Sequence, residues 1–313
     1  MSNMEPTQIC LTIDAEGDSA ETPQTTLLGI QRALPHLLDV FSRLGVKATF
    51  FVQEDHLCRA ASKFRDLWKS LENGGHEIGY HAHGLVRASQ EEKEGIITSG
   101  LRRMKELGFN PISFRGGRYH LTGSLLSVLE DNGIRYDSSV VPGLRESFPD
   151  GTVRCDHRNA PHHPYFLSHE DHCREGGSKI LEIPINRYPF LPSKMIGVLR
   201  GVESLEEVLF DYFYEIRRDK IIVINVHTFD GLSAVLRDLI RNKQFGYLKK
   251  AGVTLLAKVV GARYLTNGSY TNRFESFLSY AIDKGDICFA TIRESGRRVV
   301  RGDQRSPEEP GAD

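Results

Sequence analysis

Short apolar segments rich in strand-forming residues alternate with segments of helical periodicity along most of this chain. Residues 9–13, 47–52 and 111–115 favour strands, and the apolar spacing over 35–44 and 90–107 favours helices between them. Such alternation is typical of βαβ units, whose helices cover a mainly parallel sheet. About seven such units follow one another, which predicts an α/β fold with a closed or nearly closed barrel.

The same pattern predicts how the chain is divided. We expect a single barrel domain over residues 1–294 and a disordered tail over 295–313, where Arg, Glu, Pro and Gly are mixed. Residues 142–178 break the alternation with five histidines and several prolines and glycines. This length and composition predict an insertion folded over the mouth of the barrel, where substrate would be recognised.

Composition narrows the class of protein. The formal net charge of −1 over 313 residues gives no global field that would attract nucleic acid or an anionic membrane. No apolar run approaches the roughly 20 residues needed to span a bilayer, and the polar residues 1–8 do not resemble a secretory signal. The five cysteines include no Cys-x-x-Cys pair, so we expect no disulfide framework. These features predict a cytoplasmic enzyme with no nucleic-acid partner and no transmembrane segment.

Several polar residues stand where the predicted strands end. They are Asp14, His81, Arg115 and His227. Catalytic groups of α/β barrels lie at the carboxyl ends of the strands, so this common position predicts a single site.

His81 and His83 are two residues apart, which places them on the same face of an extended backbone, roughly 7 Å apart. Two neutral imidazoles so placed can bind one divalent ion, together with a carboxylate and a water. Glu16 or Asp18 could supply the carboxylate, because both closely follow Asp14 at the end of the first strand. The alternatives are a solvated acidic turn and a chance cluster of histidines near glycines.

Arg115 follows an apolar strand and precedes Gly116 and Gly117. A buried guanidinium there needs a carboxylate, for which Asp14 is the natural partner. The glycine pair lets the backbone approach a ligand closely and exposes the next N–H as a donor. His227 ends the most apolar strand of the chain and is either a proton donor or a core residue.

The histidines of the 142–178 insertion belong either to a solvated loop or to a binding surface. We assign His162 and His163 to contacts with substrate. Cys173 with His169 and His172 is a less favoured candidate for a second metal site.

Seven short motifs occur in one order: LTID at 11–14, ATFFV at 48–52, GHEIG-x-H at 75–81, SFRGGRY at 113–119, YDSS at 136–139, LEIP at 181–184 and VH at 226–227. Together they resemble the polysaccharide deacetylase family, also called the NodB-homology or carbohydrate esterase 4 family, over about residues 7–293. The resemblance implies a distorted (β/α)7-type barrel and a metal-dependent hydrolase.

The resemblance also implies roles for individual residues. Asp14 matches the general base and His81 the first metal-binding histidine, while the acid just after Asp14 matches the metal-binding carboxylate. Arg115 matches the arginine that orients the base, and the backbone N–H of Arg118 matches a donor to the oxyanion. His227 matches the catalytic acid.

Three departures from the family pattern affect these assignments. The acids are spaced as Asp14, Glu16 and Asp18 rather than adjacent, so the carboxylate ligand stays open. Position 85, where the family usually has its second metal histidine, is leucine, so His83 takes that place. A glycine pair replaces the usual proline-rich stretch after the arginine, a pattern that resembles the lipopolysaccharide O-antigen deacetylases.

The sequence therefore predicts a hydrolase that removes an N-acetyl group from an amino sugar, with one divalent ion, zinc by ligand type. The substrate would be polymeric, lipid-linked or nucleotide-linked, and we place Gly116, Gly117 and Tyr119 beside it. A hydrolase of another amide, of the deformylase or cyclic-amide type, is one alternative. A carbohydrate-binding protein without activity is the other.

Overall fold

The computed structural model describes the following parts of the chain: residues 6–16, 27, 29–55, 63–186, 210–211, 213–215, 221–228 and 268–303. The strands of these parts are β1 (Thr7–Ala15), β2 (Ala48–Val52), β3 (Glu77–Ala82), β4 (Ser113–Gly116), β5 (Tyr136–Asp137), β6 (Arg145–Ser147), β7 (Val153–Asp156), β8 (Tyr165–Phe166), β9 (Leu181–Glu182), β10 (Ile221–His227) and β11 (Ile287–Phe289). The helices are α1 (Leu34–Leu44), α2 (Lys63–Asn73), α3 (Gln90–Glu106), α4 (Leu126–Asp131), α5 (Gly268–Asp283) and α6 (Ile292–Asp303).

One curled, mostly parallel sheet organises the molecule. Its strand order is β10-β1-β2-β3-β4-β5-β9-β8, and β11 pairs with the first residues of β1. Every pair along this path is parallel except β8 with β9. The sheet forms a half-barrel, which confirms the predicted α/β fold with a mainly parallel sheet.

The two faces of the sheet receive different residues because side chains alternate along a strand. One face packs against helices α1, α2 and α3, and it carries Ile9, Leu11 and Ile13 of β1. The other face carries Cys10 of β1, which joins a second buried cluster with Phe51. Thr12 and Asp14 share the face of Cys10 by this alternation.

The same alternation applies to the neighbouring strands. Ile78 and Tyr80 of β3 pack under the helices, as do Ile224 and Val226 of β10. Polar residues occupy the intervening positions, and these are Glu77, His81, Ser113, Arg115, Asn225 and His227. The parallel register therefore collects the polar side chains of four strands on the face away from the helices.

Local signals in the sequence end the helices as expected. Gly45 follows α1 in the left-handed conformation (φ 65°), and its N–H donates to Phe41 O. Ser89 caps α3 in a reciprocal capping box with Glu92.

Part of the predicted disordered tail is helical: α6 includes residues 295–303. Thr291 begins this helix, because its hydroxyl accepts the N–H of Glu294 while its own N–H donates to Glu294 Oε2. The N–H of Arg293 donates to Glu77 Oε2 of β3, and Ser295 is fully buried against Cys10. These tertiary contacts stabilise a segment whose composition predicted disorder, and residues 304–313 lie outside the described residues.

The 142–178 insertion is also more ordered than its composition indicates. It contains the antiparallel β6–β7 hairpin and also strand β8, which joins the main sheet by pairing with β9. The sequence also predicts a helix over about 203–217, of which the structure describes only residues 210–211 and 213–215, and these are helical. Among those the structure describes, no helix is both long and apolar enough to cross a bilayer.

Candidate active site

The carboxyl ends of β1, β3, β4 and β10 meet at one place, as predicted. His81 lies opposite Arg115 in the register of β3 with β4, and Asp14 lies opposite His227 in that of β1 with β10. The side chains of Asp14, Glu16 and Arg115 are almost completely buried. The structure thus brings these predicted residues into one pocket.

Asp14 is held by donors on both carboxylate oxygens. Arg115 Nη1 donates to Asp14 Oδ1 at 2.7 Å, and Asn225 Nδ2 donates to Asp14 Oδ2 at 3.2 Å. His227 Nε2 lies 3.5 Å from the same Oδ2. The carboxylate is therefore fixed between a guanidinium and an imidazole.

Arg115 is itself rigidly placed, with no exposed surface. Its Nε donates to Ser138 O at 2.7 Å and its Nη2 to Ser138 Oγ at 2.9 Å. Its Nη1 also donates to Asn225 Oδ1 at 2.6 Å, and its guanidinium carbon lies 4.3 Å from the Phe51 ring centre. A buried ion pair is favourable only when its remaining donors are satisfied, as they are here.

Burial raises the pKa of Asp14, but the charge of Arg115 and the nearby His81 and His227 outweigh it. The net pKa of Asp14 is lower than that of an ordinary aspartate. Asp14 is consequently ionised at neutral pH and able to accept a proton.

Glu16, His81 and His83 form a compact group that we call the Glu16 triad. Glu16 Oε1 lies 3.3 Å from His81 Nε2 and 3.2 Å from His83 Nε2, and the two imidazole nitrogens are 2.9 Å apart. A tetrahedral zinc ion with bonds of about 2.0–2.2 Å to nitrogen and oxygen separates its ligand atoms by about 3.3–3.5 Å. The spacing of the triad is close to this value.

The hydrogen bonds around the triad also leave lone pairs that could bind a cation. His81 donates its Nδ1–H to Arg115 O at 3.0 Å, so its Nε2 carries a lone pair when the ring is neutral. Glu16 Oε2 is buried and has no hydrogen-bond partner among the described residues. Burial raises the pKa of Glu16, but the imidazoles of His81 and His83 that face it bring the pKa well below its ordinary value. Crowded acceptor atoms of this kind are stable together when a positive charge lies between them.

The segment after Arg115 makes a strained turn beside the triad. Arg118 and Tyr119 are consecutive non-glycine residues with positive φ angles of 62° and 58°. A Cβ atom on Gly117 would lie 2.7 Å from the His83 ring and 2.9 Å from Ala82 O, so only glycine fits there. The N–H of Gly116 is already used, because it donates to Ser139 Oγ at 2.9 Å.

Asn225 is a site residue that the motif analysis missed. Its side chain accepts from Arg115 and donates both to Asp14 and, at 3.1 Å, to Tyr119 Oη. The sequence contained a signal for Asn225, because it is the one polar residue within the apolar run 221–226 and lies two residues before His227. Tyr119 is buried, which raises the pKa of its phenol well above the ordinary value.

Other predicted site residues are placed differently. Asp18 lies outside the described residues. His162 and His163 are exposed, and His163 Nε2 lies 2.8 Å from Glu175 Oε1, so their contact with substrate stays a prediction. His169 pairs with Glu130 at 3.3 Å, whereas His172 and Cys173 lie together beside Asp171. Asp171 thus replaces His169 in the second candidate metal group.

Comparison with known proteins supports the resemblance. The sequence profile described as polysaccharide deacetylase matches residues 2–108. No curated protein sequence is significantly similar to the chain.

Solved structures extend the comparison to the whole chain. A protein assigned as a polysaccharide deacetylase from Mycobacterium smegmatis aligns with a TM-score of 0.59 and 19% identity, covering 100% of this chain and 96% of its own. Another, from Pseudomonas aeruginosa PAO1, has a TM-score of 0.55, 15% identity and coverages of 94% and 91%. The Puue allantoinase has a TM-score of 0.55, 14% identity and coverages of 95% and 93%.

These findings confirm the resemblance to polysaccharide deacetylases: the first third of the chain matches the family profile, and the whole chain has the fold of such proteins. At this level of identity the structural similarity establishes the fold, and the allantoinase shares it. The O-antigen branch stays a prediction.

Proposed function

We propose that this protein is a metal-dependent hydrolase that removes an N-acetyl group from an amino sugar of a glycan or glycan precursor. The observation that carries the proposal is the buried Glu16 triad beside a carboxylate, Asp14, that is held ionised by Arg115. Amide hydrolysis needs a Lewis acid and a base side by side, and this pocket offers a group of ligands and a base two residues apart.

Glu16, His81 and His83 would hold the ion, leaving at least one position open for water or substrate. Two imidazoles and a carboxylate are a ligand set that suits zinc. A zinc ion bound there would supply Lewis acidity toward the amide carbonyl and would lower the pKa of a bound water.

Asp14 is the proposed general base. It takes the proton of the attacking water, and Arg115 and Asn225 hold the carboxylate so that it faces the triad rather than rotating. Glu16 is unsuited to this role, because both histidines of the triad face its Oε1.

His227 is the proposed acid. After the water oxygen has bonded to the carbonyl carbon, the carbon–nitrogen bond breaks and the amine departs with a proton from His227 Nε2. This nitrogen is 3.5 Å from Asp14 Oδ2, a distance over which the carboxylate stabilises a protonated imidazole. The products are acetate and the free amino sugar.

The strained turn supports a further part of the mechanism. Arg118 lies in the left-handed backbone of this turn, and we propose that its N–H donates to the oxyanion. Gly116, Gly117 and Tyr119 would then lie along the substrate.

A second candidate is the hydrolysis of a cyclic amide. The Puue allantoinase aligns with the same TM-score as the Pseudomonas aeruginosa protein, so the fold alone does not separate the two activities. The same base, ligands and acid could act on either amide.

A substrate screen separates these candidates. We expect metal-loaded protein to release acetate from N-acetylated amino sugars on at least one carrier, polymer, lipid or nucleotide, and the Asp14→Asn variant to release none above background. Cyclic amides and formylated amino sugars would be measured in parallel. Ring opening or formate release without acetate would favour the second candidate, and binding of sugars without any product would indicate a protein without activity.

The zinc preference, the cytoplasmic location and the role in lipopolysaccharide synthesis stay predictions of the same proposal. The metal that gives the highest turnover in the screen tests the first of these.

A further inference from the structure

The 142–178 insertion carries a second group of metal-ligating side chains, apart from the Glu16 triad. Asp171, His172 and Cys173 each offer a ligand atom, and these atoms all lie within 4.8 Å of one another. His172 Nε2 is 3.5 Å from Cys173 Sγ. With bonds of about 2.3 Å to sulfur and 2.0–2.1 Å to nitrogen, a tetrahedral zinc ion separates the two atoms by about 3.6 Å. The pair is therefore spaced as two ligands of one ion.

His120 supplies an independent observation. It donates its Nδ1–H to Arg154 O at 2.8 Å, so Nε2 of the neutral ring carries a lone pair. This Nε2 is buried, in a residue that is only 8% exposed, and no part of the chain that the structure describes offers it a hydrogen bond. Burial lowers the pKa of His120, so the ring stays neutral near pH 7. An orphaned imidazole lone pair, held from behind by a carbonyl, is the usual state of a metal-binding histidine.

The side chains of His120 and Cys173 both hydrogen-bond to backbone carbonyls of β7. His120 contacts Arg154 O, and the Cys173 thiol donates to Asp156 O at 3.3 Å. Carbonyl groups two residues apart in a strand point the same way, roughly 7 Å apart, so both side chains face one edge of β7.

His157 completes the surroundings but is not a ligand. Its Nδ1 accepts the N–H of Val141 at 3.0 Å, so the single proton of the neutral ring is on Nε2. That Nε2 is fully buried, has no acceptor among the described residues, and belongs to a ring 5.4 Å from the ring of His172. A buried donor without an acceptor is costly, and an anionic ligand in the cluster would relieve it.

We propose that Asp171, His172 and Cys173 bind a second divalent metal ion, zinc by ligand chemistry, independent of the Glu16 triad, and that His120, which lies outside this compact group, closes on the bound ion as the fourth ligand. Binding replaces the thiol proton of Cys173, which passes to solvent, with a bond from sulfur to the metal. The S–H donation from Cys173 to Asp156 O is lost. Asp171 keeps lone pairs for the ion, although its carboxylate also accepts the N–H of Cys173.

The consequence of such a site is structural. His120 directly follows Tyr119, and its own N–H closes the strained turn by donating to Gly117 O at 3.2 Å. An ion shared between His120 and residues 171–173 would tie the insertion to the turn that lies beside the Glu16 triad. Its loss should loosen the insertion and weaken substrate binding more than it slows the chemical step.

Cobalt substitution tests the proposal in the full-length protein. Thiolate coordination to Co²⁺ gives a charge-transfer absorption in the near ultraviolet, which the Glu16 triad cannot produce because it has no sulfur. We expect wild-type protein to bind about two ions per chain and to show this absorption. The Cys173→Ser variant should lose the absorption and one ion. The Glu16→Gln variant should lose the other ion and keep the absorption.

Matched controls separate the cluster from general damage. Cys155→Ser removes a buried thiol of β7 that belongs to a different hydrophobic cluster from Cys173. It should change neither the absorption nor the number of bound ions. His163→Ala removes an exposed histidine of the same insertion and should leave the absorption unchanged. His120→Ala, in contrast, should lose the absorption or shift its wavelength. Wild-type protein that binds a single ion without thiolate absorption would overturn the proposal, even if every variant failed to fold.

Discussion

Asp14 and Glu16 lie two residues apart at the end of one strand, and both are nearly completely buried, yet their surroundings differ. Asp14 receives hydrogen bonds from Arg115 and Asn225 on separate oxygens. Glu16 faces two imidazole nitrogens with its Oε1, and its Oε2 has no hydrogen-bond partner within the described ranges. Asp14 thus has the cationic Arg115 against it, whereas Glu16 belongs to a group of side chains that could share a metal ion.

This difference indicates that neighbouring residues decide the role of a carboxylate in this pocket. A carboxylate held by a guanidinium stays ionised and free to take a proton. A carboxylate crowded with lone pairs is arranged for a metal ion. We therefore propose Asp14 as the base and Glu16 as the ligand, although both are acids at the end of one strand.

The largest expected effect comes from Asp14→Asn, which keeps the shape of the side chain but cannot accept a proton. We expect kcat to fall by about 10²–10⁴, the usual contribution of one acid–base group. Metal content, measured by elemental analysis, should not change. A metal-free Asp14→Asn protein would mean that the two carboxylates have exchanged roles.

The next largest effect concerns the Glu16 triad. His83→Ala should lower metal affinity by more than about 10–100-fold, the loss typical of removing only an outer-shell partner. Glu16→Gln should also weaken binding, and added metal should partly restore its activity. Competition with a chelator gives both affinities, and Leu85→Ala, at the position where the family usually has a histidine, is the control. If His83→Ala retains its ion and activity, the triad is assigned incorrectly.

A smaller effect tests how Asp14 is kept ionised. Asn225→Asp removes a donor and adds a negative charge beside Asp14, and both changes favour its protonated form. We expect the acid limb of the pH profile of kcat/KM to move to higher pH by roughly one unit, about a tenfold loss of rate on that limb. Asn225→Ala should move it less in the same direction. An unmoved limb in both variants would show that another group titrates there.

The smallest effect comes from Glu182, a buried acid that lies beside a second buried acid, Asp137. Burial and the adjacent Asp137 raise the pKa of Glu182 well above 4.5. Its contribution to stability is therefore complete below pH 4.5 and is lost as the pH rises toward this raised value. Glutamine can still accept the N–H of Val140 and donate to Asp137 without titrating.

Glu182→Gln should thus gain stability relative to wild type as the pH increases, on the order of 1 kcal/mol, the net value of a hydrogen bond. Urea unfolding at a series of pH values measures this difference. A difference that is constant across the series would indicate that Glu182 is ionised throughout.

The sequence by itself determined the α/β fold and the positions of Asp14, His81, Arg115 and His227. Both follow from local patterns, because side chains alternate along a strand and parallel strands end at the same edge of a sheet. His83 was also found from local spacing, and the structure brings it to within 3.2 Å of Glu16.

Only the tertiary structure decided which partners these residues have. Asn225 reaches Arg115 across 110 residues of sequence, and the side chains of His120 and Cys173 both hydrogen-bond to backbone carbonyls of β7. The helix over Ile292–Asp303 forms where composition indicated disorder, because Glu77 and Thr49 accept the first N–H groups of that helix. Spacing along the chain reports which side chains share a face, but burial and hydrogen bonding between distant segments determine which of them touch.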